Sequence, residues 1–166
     1  EAKVAETKTT LDDLSTSVTA LADLFATIQD DATTRDIDLS AVITRICASF
    51  ERATQRTIVR EVEPVVLTDH AKATNISIIV NELITNAIKY AKGRITVGLR
   101  QASDGGYTLS VCDDGPGLPA GFDPTATRGL GMKLISSLVR QIAVKLQMSQ
   151  GDNAHGTRFT VLFARR

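Results

Sequence analysis

Tryptophan is absent from this 166-residue chain, and two tyrosines and five phenylalanines supply all its aromatic surface. Stacking platforms for single-stranded nucleic acid need such rings, so that class of function is disfavoured. Net charge is lacking too, because 19 Lys and Arg balance 19 Asp and Glu. A surface that holds nucleic acid or anionic membrane through bulk charge is therefore not expected. No apolar run approaches the roughly 20 residues that cross a bilayer, and no signal-peptide pattern opens the sequence. Cysteine is scarce. Cys47 and Cys112 lie inside apolar patterns without CxxC spacing, so both read as buried reduced thiols, which suits a cytoplasmic protein. The first residue is Glu1 rather than Met, and the chain is expected to belong to something longer. Its length suffices for one domain with a real core plus an appended element.

What is present divides at about residue 36. Residues 4–30 read as one amphipathic helix, with Leu11, Leu14, Val18, Leu21, Phe25 and Ile28 stepping by three and four. That narrow seam suits a coiled coil or bundle, and it is expected to seek a partner helix, making residues 1–36 a dimerisation segment. Docking on its own domain is the plainer alternative. The polar run Asp30–Asp36 reads as a connection.

Residues 37–166 alternate helix and strand patterns. Asp38 or Ser40 can cap a helix to about Thr54, with Val42, Ile43, Ile46, Cys47 and Phe50 on its apolar face. Thr57–Val62 has strand composition and Val65–Leu67 reads as a short second strand past Pro64. Thr68 or Asp69 caps a long helix from about His70 to Lys92, ended by Gly93. Arg94–Arg100 and Tyr107–Cys112 flank Ser103-Asp104-Gly105-Gly106 as a hairpin. A helix at about Gly129–Ile142 and a second hairpin, Val144–Met148 with Thr157–Phe163, complete the pattern. Three helices and about five strands, joined by hairpins instead of repeated βαβ units, predict an α+β fold: a two-layer α/β sandwich.

Four short segments carry chemistry: Asn81–Tyr90, Asp113-Asp114-Gly115-Pro116-Gly117, Arg128-Gly129-Leu130-Gly131-Met132 and Gly156-Thr157-Arg158-Phe159. Glu82 and Asn86, four apart, share one helix face. An amide oxygen is a hard ligand suited to Mg²⁺, and a carboxylate one turn away can act as general base. Lys89 can bring charge to phosphates and Tyr90 a flat face to a base. A helix side that merely faces water is the alternative, but Asn86 borders the apolar face formed by Leu83, Ile84 and Ala87. Asp113 ends a strand whose inward residues are Leu109 and Val111, and a carboxylate there can accept the amino hydrogen of adenine. Gly115 and Gly117 let backbone approach the ring, whereas Asp114 is expected to point to solvent. Glycines at the start of a helix, here Gly129 and Gly131 with Arg128 and Lys133 nearby, form an anion site suited to triphosphate. Leu118–Thr127, with two prolines and little pattern, reads as a lid. Thr157 can bond toward Asp113 or serve only as a β-branched strand residue.

In that order, the motifs from about Asp38 to Phe163 resemble the ATP-binding catalytic domain of bacterial sensor histidine kinases, within the GHKL ATPases. The run Asn81–Ala87 and the short lid look like the HWE-related subgroup. The resemblance implies a Bergerat-type sandwich that binds Mg²⁺ and ATP. By position it implies Asn86 as metal ligand, Glu82 as candidate base, Lys89 near phosphate, Tyr90 beside adenine and Asp113 on its amino group. Gly115, Gly117, Gly129, Leu130 and Gly131 with Arg128 would line the pocket, and Thr157 would lie beneath Asp113. Such kinases phosphorylate a histidine on a dimerising helical hairpin. The only histidines here, His70 and His155, lack that context and read as structural or solvent-facing. Residues 4–30 then look like the second helix of the hairpin, and the acceptor is expected outside this chain. A response regulator and a homodimer mate are the implied partners. A serine kinase of the anti-sigma type and a non-catalytic docking module on the same fold are the competing readings.

Overall fold

Two candidate caps compete where the first helix of the sandwich begins, and the tertiary contacts decide between them. The computed structural model describes residues 3–5, 36–118, 120–121, 130–142 and 144–165. The Leu11–Ile28 seam lies outside the described residues, as does most of the expected lid. Asp38 caps α1 (Leu39–Thr54), its Oδ1 accepting the Ala41 N–H at 3.0 Å. Ser40 instead exchanges hydrogen bonds with the Val65 backbone, its Oγ accepting the N–H at 2.7 Å. That contact holds β1 (Ile37–Asp38) beside β3 (Val66–Leu67) as a two-stranded antiparallel ladder. β1 had no periodicity to reveal it and was not expected.

The main sheet has the order β2-β4-β5-β7-β6, formed by β2 (Ile58–Val62), β4 (Ile95–Gln101), β5 (Tyr107–Asp113), β6 (Lys145–Gln150) and β7 (Thr157–Phe163). Both expected hairpins form, with Gln101 opposite Tyr107 and Gln150 opposite Thr157. β2, however, runs parallel to β4, with Ile58 opposite Ile95. The connection between them carries α2 (His70–Tyr90), so one crossover unit accompanies the hairpins.

α1, α2 and α3 (Leu130–Gln141) are the helices of the second layer. Alternation sends Val97 and Leu99, Leu109 and Val111, and Phe159 and Val161 inward from three neighbouring strands. They meet Ile76, Ile79, Leu83 and Ile84 of α2 in one apolar core, to which α1 adds Ile43, Ile46 and Phe50 and α3 adds Met132 and Ile135. Each such side chain contributes about 1.5–3 kcal/mol by burial, so the sheet fixes α2 firmly. Among the described residues both cysteines are free and buried, and burial pushes the Cys47 thiol up to about 11, leaving it protonated and inert.

Candidate active site

The apolar stripe of α2 fixes what its polar edge can face. With Ile79, Leu83, Ile84 and Ala87 buried, Glu82 and Asn86 emerge half-buried at the border of the stripe. The first turn of α3 lies against them. A Cβ added at Gly131 would stand 2.9 Å from Glu82 Oε2 and 3.9 Å from Asn86 Oδ1, so the absence of a side chain there permits the approach. Asn86 Nδ2 donates to Met132 Sδ at 3.3 Å, which ties the amide to the first turn of α3. The first N–H groups of α3 have no partner within their own helix. Arg128 and Gly129 lie outside the described residues, and only the backbone of Leu130 is described.

The second half of the site is built on strand ends. Asp113, the last residue of β5, accepts the Gly115 N–H at 2.9 Å and the Thr157 N–H at 3.3 Å, both through Oδ1. Among the described residues Oδ2 accepts no hydrogen bond, which leaves it open to an external donor. Thr157 thus meets Asp113 through its backbone and not through its hydroxyl. Gly156 makes this possible. Its φ of +71° belongs to the left-handed region, and an added Cβ would collide with the Asp113 carbonyl. Gly115 packs less tightly against the end of α2, where a Cβ would lie 3.2 Å from the Tyr90 carbonyl oxygen.

Asp114 is exposed, as its neighbour's inward side chain suggested, and it also has a partner. Its Oδ2 accepts the Arg94 N–H at 2.8 Å and so fastens the turn after α2. Lys89 and Tyr90 are adjacent at the rim, where Tyr90 is 66% exposed and Lys89 Nζ lies 5.6 Å from its ring centroid. Such an exposed cation–π contact is worth about 0.5–1 kcal/mol, so it yields readily to a ligand. The structure therefore gathers Glu82, Asn86 and Gly131 in one group and Asp113, Gly115 and Thr157 in another, with Lys89 and Tyr90 at the edge.

Beside the second group opens a cavity of about 280 Å³, lined by Gly115–Leu118, Met148–Gln150 and Ala154–Thr157. It is slightly smaller than the roughly 300–1,000 Å³ typical of small-molecule sites, and it touches the motif residues at Gly115, Gly117 and Thr157. Met148, Gln150 and His155 were not read as site residues. The alternation of β6 could have placed Met148 inward, but nothing local to His155 indicated the cavity.

A Bergerat-type layer with carboxylate, amide and glycine turns in this order defines a class of ATP-hydrolysing and phosphoryl-transferring domains. The family model described as "Histidine kinase-, DNA gyrase B-, and HSP90-like ATPase" matches residues 71–166, and the chain belongs to that family. Among solved structures it is similar to the histidine kinase domain of the blue-light activated histidine kinase EL346 from Erythrobacter litoralis. That likeness has a TM-score of 0.79 and 23% identity, covering 92% of this chain and 75% of that one. The longer EL346 structure gives a TM-score of 0.76 at 26% identity over 93% of this chain, which spans 54% of that relative. The mycobacterial sensor histidine kinase MprB gives a TM-score of 0.65 at 23% identity, covering 79% of this chain and 97% of its own. No curated protein matches the chain.

Proposed function

We propose that this chain binds Mg²⁺-ATP and transfers the γ-phosphoryl group to a histidine outside it, as the kinase module of a two-component system. One observation carries the reading: Glu82 and Asn86 face the amide end of α3 while Asp113 keeps Oδ2 open beside Thr157. A site with an anion-binding end and a purine-accepting end fits a nucleoside triphosphate.

Asp113 would take the adenine amino hydrogen, with Gly115 and Gly117 allowing the ring close to backbone. Asn86 Oδ1 fits Mg²⁺, which needs few protein ligands and keeps water and phosphate oxygens. When bound, the metal would neutralise charge on the phosphates. Lys89, Arg128 and the amides of Gly129, Leu130 and Gly131 would hold the triphosphate. Glu82 would accept the proton of the attacking imidazole as the bond from Pγ to the ADP oxygen breaks. Positioning and charge do most of the work in such transfers.

Residues 1–36 would supply the dimerisation helix of a homodimer, and a response regulator would take the phosphoryl group onward in the cytoplasm. The Glu-Leu-Ile-Thr-Asn-Ala run at Glu82–Ala87 supports the HWE-related subgroup. Incubation with γ-labelled ATP and a separate acceptor hairpin is the test. Acid-labile label on the hairpin is the expected result. Acid-stable label would transfer the assignment to serine kinases, and absence of any nucleotide affinity would leave only a docking role.

A further inference from the structure

We infer that Arg56, which lies outside every motif of the site, is a positioning residue whose guanidinium fixes the end of α2 against the Asp113–Gly115 turn and so sets the width of the purine end. The inference rests on the nucleotide reading above.

α2 closes with Tyr90. Ala91 still donates to the Ala87 carbonyl at 2.9 Å, but its own φ of −112° and ψ of 138° turn the chain out of the helix. The carbonyls that follow lose their helical partners. Arg56 replaces those partners from 32 to 37 residues away. Its Nη1 donates to Ile88 O at 3.0 Å and Ala91 O at 2.7 Å, while Nη2 donates to Gly93 O at 2.7 Å. One guanidinium thus satisfies three carbonyls and places positive charge at the negative end of the helix dipole. Gln55, in left-handed conformation with φ 57°, closes α1 immediately before it and aims the chain.

The opposite side of the same turn is held by Asp114, whose carboxylate accepts the Arg94 N–H and fills the space a Cβ at Gly93 would need. The next residue, Gly115, has Tyr90 O at 3.2 Å and Ala91 Cα at 3.3 Å from its ideal Cβ position. Gly115 in turn donates its N–H to Asp113 Oδ1. A shift of the Tyr90–Gly93 turn is therefore passed directly to the carboxylate that would meet adenine. Lysine does not reproduce the fork, because these carbonyls are met from two separate nitrogens, Nη1 and Nη2, and an ammonium has only one.

Calorimetry with a non-hydrolysable Mg²⁺-ATP analogue on the parent chain, Arg56→Ala, Arg56→Lys and the core truncation Val42→Ala tests this. Both Arg56 variants should bind about tenfold more weakly, the loss seen when groups that orient a ligand's direct contacts are removed. Val42→Ala should unfold at lower denaturant yet keep the parent Kd. Should Arg56→Ala fail to fold, Arg56→Lys and Asp114→Ala carry the test, Asp114→Ala weakening binding in the same direction. A folded Arg56 variant with the parent Kd, or Val42→Ala weakened as much, overturns the inference alone. A parent chain that binds no nucleotide overturns the site reading and this inference together.

Discussion

The two ends of the site are held by different kinds of contact. At the strand end, Asp113, Gly115, Gly156 and Thr157 are joined by hydrogen bonds from main-chain N–H groups to the Asp113 carboxylate and by close backbone packing. At the helix end, the described contacts of Asn86 with α3 are one amide–sulfur hydrogen bond and the approach of Gly131. Backbone cannot rearrange without breaking the sheet, whereas side chains on facing helices can rotate. The end proposed to take the purine is thus pre-formed, and the end proposed to take the phosphates can adjust as it loads and releases a reacting group, where moving parts are expected.

Gly156→Ala should break the comparison most severely. The left-handed φ and the collision with the Asp113 carbonyl should together cost about 3 kcal/mol or more of stability, read as the shift of a urea unfolding midpoint. An unchanged midpoint would mean that the strand end is as adaptable as the helix end. Asp113→Ala should strand two inward-facing N–H groups, costing about 1–3 kcal/mol of stability as well as nucleotide affinity. Asn86→Ala should separate the two quantities: affinity in Mg²⁺ falls about tenfold or more, but stability changes by less than about 1 kcal/mol, since only a sulfur contact is lost. Equal stability losses in these two variants would erase the distinction.

Gly131→Ala is the milder probe of the helix end. The added methyl meets the flexible tip of Glu82, so stability should hold within about 1 kcal/mol. Phosphoryl transfer should slow more than binding weakens, as shown by comparing single-turnover rates with Kd.

The smallest effect lies away from both ends. Glu51 accepts the Ile58 N–H at 2.7 Å and pairs with Arg60 at 2.6 Å, and these hold its carboxyl below the usual glutamate value. A lowered folded-state value gives stability that is present above about pH 4.5 and lost as pH falls further. Glu51→Gln should remove that acid-side loss, change neutral-pH stability by about 0.2–1 kcal/mol, and leave nucleotide affinity untouched. A pH-dependence identical to the parent's would discount Glu51.

Periodicity made α1, α2 and both hairpins legible, and the order of motifs made the family legible, because each signal is local. Contacts between distant residues were not. Asp38 and Ser40 are equally good caps in isolation, and only Val65 decides which one is used. The two-residue ladder of β1 and β3 is too short for alternation to mark, and no pattern within β2 announces a parallel mate. At the site, Asp113 and Thr157 were read as neighbours, yet the bond runs to a main-chain N–H that carries no sequence signature. The partner of the exposed Asp114 was hidden for the same reason, since it is the backbone N–H of Arg94.

The Asp113 carboxylate receives its second hydrogen bond from Thr157, 44 residues further along the chain. A chain emerging from the ribosome therefore cannot complete the proposed purine socket until the start of β7 is out. Nascent protein halted before that point should lack the contact and with it the proposed grip on adenine.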